Sequence, residues 1–125
     1  MKIAVVNEIS TASRHPAVMA ALADGGHEII NAGMTSQSDL PSLTYLHTGL
    51  ISALLLNLRA VDMVIGGCGT GEGYMNSVLQ YPGVSCALIT EPLDGWLARR
   101  INDPNCISLA LNKGFGWAGE ENLKL

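Results

Sequence analysis

What most constrains the fold is an alternation that runs the length of the chain. Short, β-branched apolar runs are separated by segments with helical spacing, in the order βαβαβαβαβ. The first strand is expected over Lys2 to Asn7. Ser13, Arg14, His15 and Pro16 then open a helix with apolar positions Val18, Ala21 and Leu22, stopped by Gly25-Gly26. Proline suits a first helical turn, where its missing N–H would have no partner anyway. A second strand over His27 to Ala32 is followed by a polar loop (Thr35 to Ser42) and a longer helix from about Leu43 to Arg59. The third strand, Asp62 to Gly67, runs into a glycine loop, and a helix through Tyr74, Val78 and Leu79 reaches the turn Tyr81-Pro82-Gly83. Strand four (Val84 to Thr90), a helix over Pro92 to Ile101 and strand five (Cys106 to Leu111) complete the pattern. Strands this apolar, set between helices, are buried on both faces. The alternation therefore predicts a three-layer α/β/α sandwich around a five-stranded parallel sheet, a Rossmann-like fold.

The 125 residues fit a single domain spanning 1–125, and 48% apolar against 14% charged residues leaves enough to bury one core. Leu123 and Leu125 read as the start of one more helix that is cut off, so the chain is expected to lack its C-terminal helix or to lean on a partner. A formal charge of −4, with no basic cluster larger than Arg99-Arg100, argues against a nucleic-acid partner. The longest apolar run, Gly49 to Leu58, is too short to span a bilayer, and MKIAVVNE lacks a signal peptide's length, so no membrane partner and a cytoplasmic location are expected. Cys68, Cys86 and Cys106 are odd in number, with no CxxC pair and no histidines at ligand spacing, which disfavours disulfides and structural zinc.

In open parallel sheets ligands sit at the carboxyl ends of strands, near the point where strand order reverses. Those ends offer Asn7-Glu8, Cys68 to Glu72, Thr90-Glu91 and Asn112-Lys113, with Asn102-Asp103 near the end of the fourth helix; together they are expected to line one cleft. The loop Gly66 to Gly73, GGCGTGEG, is the most pointed of them. It is not a P-loop, which needs Lys-Ser/Thr where Glu72 stands, and its glycines miss the dinucleotide spacing. What it offers is a run of backbone N–H groups at a helix N-terminus, which favours an anion and, at Cys68, a thiolate usable as base or nucleophile. The alternative for Cys68 is a buried cysteine packing as a small hydrophobe, and spacing does not separate the two. Cys86 and Cys106 lie inside strands and read as packing residues, while His27 and His47 read as surface or capping histidines.

GCGTG after a βαβαβ start, followed by PGV (Pro82 to Val84), TEP (Thr90 to Pro92) and LARRINDPN (Leu97 to Asn105), resembles the ribose-5-phosphate isomerase B and galactose-6-phosphate isomerase family. With NE near the start and KGFGW (Lys113 to Trp117) near the end, the likeness is strongest to a longer, less characterised branch and covers nearly the whole chain. The resemblance implies an aldose–ketose isomerase, an intramolecular oxidoreductase acting on a small sugar phosphate of four or five carbons through an enediolate. It implies no metal and no cofactor. Family members continue further, with a helix that crosses to a second subunit and helps complete the active sites, so a homodimer or higher homo-oligomer is implied as well.

By the same resemblance Cys68 is the base, and the amides of Gly69 and Gly71 with the Thr70 hydroxyl hold the oxyanion. Some family members use a glutamate at the position of Glu72 instead; the plainer reading of Glu72 is a carboxylate facing a helix dipole. Asn102 matches a family asparagine that contacts the sugar. Arg14, beside His15, and Lys113 are the phosphate candidates, with ordinary solvated charges as the alternative. Two departures stand out. Ile9 and Ile101 occupy positions where family isomerases have histidine, and isoleucine neither donates nor accepts a proton. Glu8 replaces the usual aspartate. With the ring-opening histidines gone, an open-chain substrate is expected, and His15 is the remaining candidate for a substitute acid. The rival expectation is a non-catalytic protein that binds sugar phosphate, or regulates, on the same fold.

Overall fold

A computed structural model describes residues 1–114 and 118–125. Part of the KGFGW motif, Phe115 to Trp117, lies outside the described residues. The elements follow the expected order: β1 (Lys2–Val6), a 3-10 turn (Ala12–Arg14), α1 (His15–Leu22), β2 (Glu28–Asn31), α2 (Tyr45–Asn57), β3 (Met63–Cys68), α3 (Glu72–Val78), β4 (Cys86–Ile89), α4 (Pro92–Ile101), β5 (Cys106–Ala110) and α5 (Gly119–Lys124). Strands β1, β2, β4 and β5 are shorter than expected, because the ladder stops short of the expected ends. β3 instead lies one residue further along than expected, starting at Met63, so that Cys68 is the last strand residue and pairs in register with Ala110. Leu123 falls inside the short α5, and Leu125 lies just past its end.

All pairings are parallel, and the strand order is β2-β1-β3-β5-β4. The central strands β1 and β3 are buried almost throughout, as apolar runs covered on two faces must be, while the edge strands β2 and β4 are only partly covered. On one face Ala4, Val6, Val64, Cys68 and Cys106 pack with Tyr74 and Val78 of α3 and Ile51 and Leu55 of α2. On the other, Ile3, Val5, Ile65 and Leu111 pack with Val18 and Leu22 of α1 and Leu123 of α5. Among the described residues no helix is long and apolar enough to cross a membrane.

Local chemistry explains the helix starts. Pro16 stands in the first turn of α1. At α2 the Thr44 N–H donates to His47 Nδ1 at 2.9 Å, so His47 is a capping residue. At α4 the Asp94 carboxylate accepts from the N–H (2.9 Å) and hydroxyl (2.7 Å) of Thr90, which holds its pKa below the usual carboxylate value.

Candidate active site

The sheet changes direction of growth at β1, with β2 added on one side and β3 on the other. The carboxyl ends of β1 and β3 therefore form the crevice where open parallel sheets bind ligands. Val6 pairs with Gly66, so the residues that follow, Asn7-Glu8 and Gly67-Cys68, leave the sheet side by side.

The glycines of the β3–α3 loop have separate physical reasons. A Cβ on Gly66 would meet the Tyr74 ring at 2.3 Å, and one on Gly67 would meet the Leu109 carbonyl oxygen at 2.2 Å. Gly71 caps α3 with φ +80°, a conformation that side chains resist. The Gly71 carbonyl accepts a 2.5 Å hydrogen bond from the Ser108 hydroxyl, a tie from β5 that an apolar strand pattern does not announce. The loop is also laced to its neighbours: the N–H groups of Leu111 and Asn112 donate to the carbonyls of Cys68 (3.1 Å) and Gly69 (3.2 Å). The Asn112 side chain then donates to the Ser10 carbonyl at 3.2 Å, joining the loops after β1, β3 and β5.

Within that frame Cys68 is buried, with 6% of its surface exposed, while Thr70 and Glu72 are open to solvent. Thr70 Oγ1 accepts from the Glu72 N–H at 3.3 Å, which leaves the hydroxyl hydrogen free to donate outward. Glu72 sits in the first turn of α3. Glu8 is buried at the end of β1, where its carboxylate accepts from the Ser10 hydroxyl and its N–H donates to Thr11 Oγ1. His15 opens α1, and its Nδ1 lies 3.2 Å from the Asn7 side-chain oxygen. Burial lowers the His15 pKa, and the Asp39 carboxylate opposes that shift. Asp39 is itself held at about 2 by hydrogen bonds from Thr35 and Ser36.

Glu8, Arg14, His15 and Cys68 to Glu72 thus share the carboxyl edge. Lys113, just past β5, is exposed there too, but it faces another space. It lines a groove of about 520 Å³ on the α1 and α4 side of the sheet, together with Thr90, Ile107 and Leu109, whereas Glu8, Cys68, Thr70 and Glu72 do not line it. Asn102 and Asp103 do not join the cleft. α4 starts beyond the end of β4 and runs back, so Asn102 caps it at the edge where β5 begins. Sequence reasoning placed them together because a helix end next to β5 was not distinguished from a strand end. Thr11 was missed altogether, and an isolated threonine in a loop carries no periodic signal.

A model of the ribose/galactose isomerase family matches residues 3–121. The chain belongs to this family. It is similar to a ribose-5-phosphate isomerase from Vibrio parahaemolyticus, with 46% identity and a TM-score of 0.93 over 99% of this chain and 60% of that one. It is similar at 41% identity, with the same TM-score and coverages, to a 4-deoxy-L-threo-5-hexosulose-uronate ketol-isomerase whose structure holds a tartrate. A ribose 5-phosphate isomerase from Thermotoga maritima matches at 25% identity and a TM-score of 0.81, over 98% of this chain and 84% of that one. No curated protein matched. The chain thus spans about 60% of the length of the first two relatives. Family membership accounts for the α/β architecture.

Proposed function

We propose that this family member takes part in an aldose–ketose isomerisation of a small sugar phosphate with four or five carbons, through an enediolate. The observation that carries this reading is the placement of the buried Cys68 beside Glu8 at the strand-order reversal, at the mouth of a glycine loop that opens a helix. Moving a hydrogen between neighbouring carbons needs a base at the carbon-bound proton and fixed donors where oxygen charge develops. Cys68 is the base in this reading. The Gly69 and Gly71 amides and the Thr70 hydroxyl hold the oxyanion, Glu72 stands as the alternative base, and Glu8 binds a substrate hydroxyl. Arg14 is the candidate for the phosphate; Lys113 instead lines the separate groove on the α1 and α4 side of the sheet. No metal or cofactor enters the scheme. Asn102 lies at the opposite edge of the sheet, so its sugar contact would come from a second copy, in a homodimer or larger homo-oligomer.

A second reading has one observation in its favour. The hexosulose-uronate ketol-isomerase, 41% identical, is named for a sugar acid without a phosphate. A carboxylate is also an anion, and it makes smaller demands on cationic side chains. The test for both is solvent-hydrogen exchange in heavy water, across aldose and ketose phosphates of four to six carbons and a hexosulose uronate. Deuterium entering next to the carbonyl, with interconversion, is expected for one class. Binding of a sugar phosphate without exchange would favour the non-catalytic alternative.

A further inference from the structure

The Asn7 amide has a determined orientation. Its nitrogen donates to the Thr11 carbonyl at 3.2 Å and lies 3.3 Å from Thr11 Oγ1. A carbonyl only accepts, so the NH2 end faces Thr11 and the amide oxygen faces His15 Nδ1, 3.2 Å away. An amide oxygen only accepts in turn, so Nδ1 carries the proton. Both side chains are buried, Asn7 at 2% and His15 at 8% exposure, and Thr11, at 0%, is buried beneath them. The ring is therefore locked in one tautomer, with a lone pair on Nε2, at the head of α1 and beside the strand end that carries Glu8. The charged groups near it are Asp39, in the loop before α2, and its chain neighbour Arg14.

The isomerisation needs two net proton transfers, and Cys68, acting as the base, accounts for the one between the carbons. Cys68 takes the proton from C2, the C2–H electrons form the C1=C2 bond, and O1 becomes the enediolate oxygen. To reach the ketose, the proton on O2 must leave, O1 must gain one, and C1 must receive the carbon proton back. We propose that His15 is the shuttle for the oxygen protons, its Nε2 taking the O2 proton and returning it to O1, with Asn7 as the positioning residue that fixes the tautomer. Each group ends the cycle in the state in which it began, and no oxidant or reductant is needed. The inference rests on the isomerase reading. It makes His15 an acceptor first, a different role from the substitute ring-opening acid for which the sequence left it as a candidate.

The test uses the full chain with 15N-labelled histidine. Long-range 1H–15N correlation spectra near pH 7.5 are expected to show His15 protonated on Nδ1 and bare on Nε2, with Asn7→Ala shifting the proton toward Nε2. A wild-type His15 carrying its proton on Nε2 overturns the proposal. In heavy water, His15→Phe is expected to lose on the order of 10²-fold in interconversion while still exchanging the carbon-bound hydrogen within a few-fold of wild type. His15→Asn, which keeps a donor toward Asn7 but lacks the Nε2 acceptor, guards against a folding defect and is expected to behave alike. Equal loss of exchange and interconversion in His15→Asn rejects the shuttle. If wild type exchanges hydrogen with no sugar offered, the isomerase reading fails and this role with it, whereas the tautomer spectrum reports separately on the Asn7–His15 pair.

Discussion

The phenol end of Tyr74 packs against Gly66, close enough that a single added carbon on Gly66 would sit 2.3 Å from the ring. The Tyr74 hydroxyl, fully buried, is 2.6 Å from Ser52 Oγ, which donates to the Thr48 carbonyl at 2.6 Å; Tyr74 is therefore the donor to Ser52. Its oxygen can accept from the Cys106 thiol at 3.4 Å. Burial pushes the tyrosine pKa well above its usual value, so the phenol stays protonated and donates to Ser52. β5, α3 and α2 are thereby pinned under the glycine loop.

Gly66→Ala is accordingly expected to destabilise the fold by about 1–3 kcal/mol, the usual cost of overpacking a filled core. Tyr74→Phe should cost about 1 kcal/mol, the net worth of one buried hydrogen bond. Urea denaturation followed by circular dichroism measures both. An unchanged midpoint for Gly66→Ala would mean that Tyr74 is free to move aside.

The ranking of Cys68 and Glu72 comes next. Cys68 is enclosed at the strand tip, whereas Glu72 is exposed on the first turn of α3, where a carboxylate also suits the helix dipole. Cys68→Ala is expected to lower kcat by about 10²-fold or more, as loss of a positioned base does, and Glu72→Gln by much less. Steady-state rates on whichever sugar shows solvent exchange decide it, and the reverse order transfers the role to Glu72.

Acid should weaken the fold in two stages. His15 has a lowered pKa in the folded state, so above its unfolded value, about 6.5, both states are neutral and its contribution is complete. As pH falls below that value the unfolded chain takes up a proton that the buried ring resists, and stability drops. Asp39, at about 2 when folded, adds a second loss as pH falls from its ordinary value toward 2. Melting temperature measured from pH 8 to pH 3 is expected to decline first below about 6.5. The decline in that upper stage should vanish in His15→Asn, and its persistence there would assign it to another group.

Much of the architecture was legible because burial on two faces leaves a direct mark: the runs around Val5 and Val64 are apolar without alternation, and Pro16 and Gly25 punctuate α1. The interleaving of β5 between β3 and β4 was not legible, since nothing in either strand names its neighbour. At the site, the glycine loop announced itself by composition. The Asn7–Thr11–His15 set did not, because hydrogen-bonded polar residues in a loop follow no period. Asn102 misled for a related reason: its neighbours read as a motif, but only the direction of α4 says which edge of the sheet they occupy.

The two isoleucines bear on which substrates can react. Ile9 follows the buried Glu8 at the carboxyl edge and donates its backbone N–H to the Leu43 carbonyl at 2.8 Å, so the position is held by its backbone and offers the substrate only a hydrocarbon side chain. Ile101, beside Asn102, is exposed at the opposite edge. A pentose 5-phosphate or hexose 6-phosphate exists mostly as a closed ring and benefits from an acid–base group that opens it. A tetrose 4-phosphate cannot close to a furanose, because its terminal oxygen carries the phosphate, and it presents a carbonyl or its hydrate directly. An erythrose or erythrulose 4-phosphate is therefore expected to react with a higher kcat/KM than ribose 5-phosphate, since such a preference is a difference in transition-state stabilisation. His15 is the residue that could reverse the order, but with its Nδ1 proton engaged by Asn7 and Nε2 bare, it must first gain a proton before it can act as an acid. A higher kcat/KM for ribose 5-phosphate, abolished in His15→Ala, would assign ring opening to that residue and overturn the open-chain preference.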